Sequence, residues 1–172
     1  MESINMVRIN LQPLTHAKIG KRHTVVLDLG SLEIGELRLA YLKGELEFTR
    51  VSDGILMEGS LKTEVETECI RCLEPFFEPI LVDVEDTIGL PGTEITPERP
   101  VRVADDGWVD LTPLLREYVW LGMPIGPVCA PACQGLCAQC GENVARGECV
   151  CTDEEPIDPR WEALRSLLDE ES

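Results

Sequence analysis

No apolar run in this chain approaches the ~20 residues needed to span a bilayer, so a transmembrane helix is not expected. The N-terminus, MESINMVRINLQPLTHAKIG, has no basic segment leading into an apolar stretch and a small-residue cleavage site. It therefore reads as lacking a secretory signal, and a cytoplasmic location is expected. Motifs of catalysis are missing too: there is no nucleophile–base signature, no phosphate-cradling glycine loop and no helical His-Glu-x2-His. An enzyme is not expected, nor a small-molecule substrate or a membrane partner. Cations are few: 15 Lys and Arg stand against 32 Asp and Glu, a formal net charge of −17. Phosphate backbones attract proteins mainly through Lys and Arg, so any RNA contact would need a local basic patch or an intermediary protein.

Apolar residues make up 44% of the chain and charged residues 27%, enough for a folded core. At 172 residues the length suits one domain, with or without a small appendage. Val25, Leu27 and Leu29 alternate with Val26, Asp28 and Gly30, and Leu37, Leu39 and Tyr41 alternate with Glu36, Arg38 and Ala40. Lys43-Gly44 offers a turn, after which Leu46, Phe48 and Val51 carry the pattern into a third strand. Asp53-Gly54 is a hairpin signal. In Leu61–Cys69, Leu61, Thr63, Val65 and Thr67 face one way and Lys62, Glu64, Glu66 and Glu68 the other, a half-buried strand with a wet acidic face. The chain returns from Phe76 to Ile88, which places Cys69 and Cys72 at the tip of a long hairpin.

Residues 91–107 read as a loop rich in Pro, Gly and charge. A short helix follows, with Asp110 as cap, Pro113 in the first turn and Leu114, Leu115, Tyr118, Val119 and Leu121 on its apolar face. Asp158-Pro159 opens a second helix carrying Trp161, Leu164, Leu167 and Leu168 on one face. The expected architecture is a β-rich α+β fold. A twisted antiparallel sheet or partly open barrel with the short helix occupies residues 1–122. A cysteine-rich segment and the C-terminal helix, residues 123–172, pack on it.

Eight cysteines dominate the rest of the chemistry. Their spacings are Cys69-x2-Cys72, Cys129-x3-Cys133, Cys137-x2-Cys140-Gly141 and Cys149-x-Cys151. In a reducing compartment such clusters read as metal ligands and not as disulfides, hyperthermophiles excepted. A Cys-x2-Cys turn lets two thiolates reach one ion, and a glycine after it relieves the tight turn. The segment Cys129–Cys151 is poor in large apolar residues, so a metal would supply the cross-links a core cannot. Two structural four-cysteine zinc sites are expected, with an iron–sulfur cluster as the competing reading. His16 and His23 lie too far off to serve. Of the possible pairings, the first joins Cys137, Cys140, Cys149 and Cys151, and sets Cys69 and Cys72 with Cys129 and Cys133. A competitor sets Cys69 and Cys72 against Cys137 and Cys140. Eight thiolates and two zinc ions would move the net charge from −17 to about −21.

One dense basic stretch, His16 to His23, offers Lys18, Lys21 and Arg22 as possible RNA or partner contacts, and Arg71 inside the first knuckle is another. A solvated loop and an ordinary turn residue are the plain structural alternatives. Trp108, Trp120 and Trp161 read as packing residues before base-stacking platforms.

Several of these segments together resemble one family. Glu68-Cys69-Ile70-Arg71-Cys72-Leu73, Asp110-Leu111 through Arg116-Glu117, Met123-Pro124, the block Cys129–Gly141, Cys149-x-Cys151 and Asp158-Pro159-Arg160 follow the order of the YceD family, the large ribosomal RNA subunit accumulation proteins. The resemblance covers the chain from about residue 24 onward. It departs at Glu142-Asn143-Val144-Ala145, where the family often has Asn-Leu-Asn. The resemblance implies a non-enzymatic factor in accumulation or maturation of large-subunit ribosomal RNA, with that RNA or a pre-ribosomal particle as partner. Two other roles fit the residues: an acidic adaptor or chaperone for basic ribosomal proteins, and a redox- or metal-responsive regulator.

Overall fold

A computed structural model of the protein describes residues 6–96, 99–144, 147 and 149–151. The C-terminal helix expected from Asp158 onward, with Trp161, lies outside the described residues. The elements in chain order are β1 (Arg8–Asn10), α1 (Gln12–Thr15), β2 (Arg22–Leu29), β3 (Leu32–Ile34), β4 (Leu37–Arg50), β5 (Ile55–Glu68), β6 (Pro75–Ile88), β7 (Trp108–Asp110) and α2 (Thr112–Gly122).

The main sheet is antiparallel and runs β2-β4-β5-β6, with β3 also pairing β4. It does not close into a barrel. A small second sheet pairs β1 with β7, an element with no alternation to announce it because each strand has only three residues. Side chains alternate in and out along the long strands. Leu46, Phe48, Met57, Leu61, Val82 and Val84 are buried on one face. Leu11, Leu14, Leu114, Leu115 and Val119, from α1, α2 and their flanks, join the same core. The sheet is thus covered on one side by the helices and the small sheet. None of the described helices is long and apolar enough to cross a membrane.

The turn expected at Lys43-Gly44 is not a turn: β4 runs unbroken through it. Gly44 is there because the backbones come close, since a β-carbon at this position would sit 2.2 Å from the Ser60 carbonyl oxygen. The break in alternation lies earlier, in a register shift between Leu39 and Leu42. The hydroxyl of Thr63, buried in the sheet, donates to the Tyr41 carbonyl within this irregularity.

Helix α2 starts one residue later than a cap at Asp110 implies. Leu111 holds the cap position, and the Asp110 carboxylate accepts the Thr112 N–H at 2.9 Å. Leu121, expected on the apolar face, is 83% exposed, although it lies within the helix and the next residue, Gly122, is the one that faces Ile80 and Val82. The stretch 91–107 is not a free loop. Its Val101 and Val103 are buried, and Gly89 exchanges backbone bonds with both. Trp108 and Trp120 stay 40% and 46% exposed, outside the core. Trp108 lies under the Arg8 guanidinium, and Trp120 donates through Nε1 to Glu36.

Candidate metal centres

The β5–β6 hairpin ends in a tight turn that carries Cys69 and Cys72. Within it the Cys69 N–H donates to the Glu74 carbonyl and the Leu73 N–H to the Cys69 carbonyl. The turn at Cys137–Cys140 repeats this pattern at the same offsets: Cys137 N–H to the Glu142 carbonyl, and Gly141 N–H to the Cys137 carbonyl. The residue after the second cysteine takes a left-handed backbone in both, Leu73 at φ 58° and Gly141 at φ 75°. The two knuckles are the same local structure, written once with leucine and once with glycine.

Each knuckle receives a second pair of cysteines. The sulfurs of Cys69, Cys72, Cys129 and Cys133 all lie within 4.8 Å of one another, as do those of Cys137, Cys140, Cys149 and Cys151. Sγ···Sγ separations are 3.8 Å for Cys69–Cys133, 3.7 Å for Cys72–Cys129 and 3.7 Å for Cys140–Cys149. A disulfide would bring sulfurs to about 2.05 Å, and all eight cysteines are free. The grouping is the first of those the spacings allowed. Both tetrads can hold a metal ion.

Electrostatics fit that use. Burial acts to raise the Cys69 thiol, but main-chain N–H groups of Cys129, Cys72 and Arg71 point at it and bring it down to about 6. N–H groups of Cys140 and Gln139 bring Cys137 down to about 7. Cys129, held against Cys72, and Cys151, held against Cys140, are pushed up to about 12. In each tetrad the first proton leaves easily and the last is held by its anionic neighbours. A cation among the four sulfurs would release them all.

The tetrads differ in their setting. Cys69, Cys72 and Cys133 are buried and pack with Phe76 and Val128, whereas all four members of the second tetrad are partly or fully exposed. The first tetrad is stitched to the hairpin by Ile70 N–H to the Pro127 carbonyl at 3.0 Å and Leu136 N–H to the Arg71 carbonyl at 3.1 Å.

Arg71 is part of that seam. Its Nη1 donates to the Cys133 carbonyl at 2.9 Å and lies 3.5 Å from the Pro131 carbonyl. Lys18 and Lys21 are exposed, bracketing a turn closed by Lys21 N–H to the Lys18 carbonyl, and Arg22 pairs with Glu47 at 3.3 Å. The structure does not bring these three to Arg71. They lie at the opposite end of the sheet, roughly 40 Å away along β5. A further polar group, marked by no spacing in the sequence, joins α2 to the β3–β4 turn. Arg116 grips Glu36 with two donors, Nε at 2.9 Å, and Trp120 adds a third bond. Only the pairing of Arg116 with an acid of unknown position could have been guessed.

Comparison with known proteins places these features. The family model described as large ribosomal RNA subunit accumulation protein YceD matches residues 57–168, a stretch that begins in β5 and includes both cysteine tetrads. An uncharacterised protein of Mycobacterium tuberculosis is 32% identical over 160 residues, covering 91% of this chain and 74% of its own. A Mycobacterium leprae protein is 30% identical over 127 residues, 72% of this chain and 58% of its own. The chloroplastic large ribosomal RNA subunit accumulation protein YCED homolog 1 of Arabidopsis thaliana is 24% identical over 142 residues, 64% of this chain and 43% of its own. No solved structure matches the chain. With the family model spanning well over half of the chain and both knuckles inside it, the chain belongs to the YceD family.

Proposed function

We propose that this protein is a non-enzymatic cytoplasmic factor in the accumulation or maturation of large-subunit ribosomal RNA, braced by two structural zinc ions. The observation that carries the role is family membership over residues 57–168, supported by plant relatives named for large ribosomal RNA subunit accumulation. The zinc reading rests on the sulfurs. A tetrahedral ion with Zn–S bonds of about 2.3 Å needs sulfurs about 3.8 Å apart, and the contacts named above are 3.7–3.8 Å. Four thiolates fill the coordination shell, which suits a closed structural site and leaves no position for substrate. In this reading residues 1–122 are the β-rich unit, and the cysteine-rich segment from 123 onward is fastened to it through the first tetrad. Lys18, Lys21 and Arg22 are its candidate RNA contacts. Arg71, already bonded to main-chain carbonyls, is a weaker one.

The test has two arms. In cells lacking the gene, large-subunit RNA should fall relative to small-subunit RNA and be restored by the wild-type chain; an unchanged ratio sinks the role. Metal analysis of purified protein should give two zinc ions per chain, and a brown, iron-containing protein would overturn zinc. A crosslinking pull-down reports whether RNA is touched directly. If it is, Lys18→Glu/Lys21→Glu/Arg22→Glu should abolish the crosslink.

A second reading, an adaptor for basic ribosomal proteins, is favoured by the charge of −17. Long-range attraction of so acidic a surface selects basic partners.

A further inference from the structure

The helices and the small sheet cover one face of the main sheet; among the described residues no element covers the other. Register places the residues of that open face in rows. One row is Thr24, Glu47, Glu58 and Glu85, each directly opposite the next. The neighbouring row is Val26, Glu45, Ser60 and Asp83. Like charges directly opposite one another destabilise a sheet, yet Glu47, Glu58 and Glu85 stand side by side across three strands. Arg22, on Glu47, is the one cation paired with any of these carboxylates among the described residues. Of the other cations on this face, Lys43 pairs with Asp28 and Arg38 with Glu66 and Glu33, while Lys62 stands opposite Leu81, at the margin of the acidic rows.

The same face carries apolar residues in the open. Val26 is 70% exposed, Leu81 57% and Phe77 48%. Beside the acidic rows, Tyr41, Lys62, Pro79 and Leu81 line a shallow depression of about 280 Å³. An exposed sheet face with a self-repelling acidic band next to an apolar depression is complementary to a segment with the opposite arrangement.

We propose that this open face docks a lysine- and arginine-rich segment of a protein partner, its cations over Glu45, Glu58 and Glu85 and an apolar side chain in the depression at Leu81. The occupant is a protein segment and not RNA, because phosphates set on this face would meet carboxylates. The inference rests on the protein-partner reading above and supplies its surface.

The experiment uses the full-length, metal-loaded chain. The probe is a fluorescein-labelled 15-residue peptide of alternating lysine and threonine with one central leucine, followed by anisotropy at low salt. The wild type should bind it, and a single-stranded RNA of the same length should not compete. Glu58→Lys/Glu85→Lys should weaken binding at least about tenfold. Glu94→Lys/Asp105→Lys, which changes the net charge equally at exposed sites off the face, should change it less than about threefold. Leu81→Ser should weaken it by roughly threefold or more at constant charge. Glu58→Lys removes the middle of three opposed glutamates, so its thermal midpoint should hold or rise, which separates lost docking from lost fold. Absence of wild-type binding, an equal loss in the control pair, no effect of Leu81→Ser or competition by RNA would each overturn the proposal. Failed docking beside normal restoration of large-subunit RNA sinks the face alone. Intact docking without any effect on that RNA sinks the role alone.

Discussion

Leu73 sits in the left-handed backbone region at φ 58°, where a β-carbon crowds the carbonyl and the cost is about 1–2 kcal/mol. Its counterpart in the second knuckle, Gly141, has no such cost. The knuckle bonds to the first cysteine's carbonyl fix this conformation in both places. Gly141→Leu is therefore expected to destabilise the second knuckle by about 1–2 kcal/mol, whereas Leu73→Gly should leave stability unchanged or raise it, the lost strain outweighing the added chain entropy. Thermal melts of the two metal-loaded variants check the asymmetry. Glu36 offers a pH handle. The Arg116 side chain grips it and holds its carboxyl down to about 2, from an ordinary value of 4.5. A depressed carboxylate stabilises the fold above its unfolded pKa and loses that contribution as pH falls through the folded one. The difference in thermal midpoint between wild type and Glu36→Gln should thus be full above pH 4.5 and vanish towards pH 2. A difference that grows on acidification would contradict the assignment. Since the pair is exposed, the effect is modest.

Among the elements, β6 is an outer strand of the main sheet, and a bare edge invites pairing with other chains. Its defences are visible. Pro75 and Pro79 lack an N–H, and the Tyr118 hydroxyl both donates to the Glu85 carbonyl and accepts its N–H at 3.3 Å. Tyr118→Phe removes both bonds and reopens the edge. It should cost about 1 kcal/mol and raise concentration-dependent association, read by light scattering beside a thermal melt. The β5–β6 hairpin was legible because fourteen-residue strands leave a long alternation, and Cys69-x2-Cys72 marks its tip. Strand β4 was misdivided at Lys43-Gly44 because a glycine needed for close approach of two backbones reads like one needed for a turn. Strands β1 and β7 were missed because three residues carry no period, and their pairing joins segments a hundred residues apart.

For the molecule as a whole, the two tetrads brace different things. The first ties the tip of the main sheet to residues 127–136, with Cys69, Cys72 and Cys133 buried and Cys129 alone exposed; the second closes a local loop in which all four cysteines are reached by water. With both tetrads holding zinc as proposed, challenge with EDTA should release it in two phases, the exposed tetrad first. Cys151→Ser should remove the fast phase and Cys133→Ser the slow one, followed with a chromogenic zinc dye. A single phase unaffected by either variant would overturn the difference in access. Lower pH should speed both phases, because ligand thiolates must take up protons to leave the metal. The sequence by itself determined the β-rich class, the clustering of the cysteines in pairs suited to a metal and the family, because alternation, local spacing and motif order are properties of the chain read in line. It left open which knuckle meets which pair, that Arg71 spends its charge on the Cys133 carbonyl, and that Glu47, Glu58 and Glu85 stand abreast on an uncovered face. Those follow from contacts between residues far apart in sequence, such as Cys69 with Cys133 at 3.8 Å. Strand register and the packing of one sheet face decide them, and neither is written in any single segment.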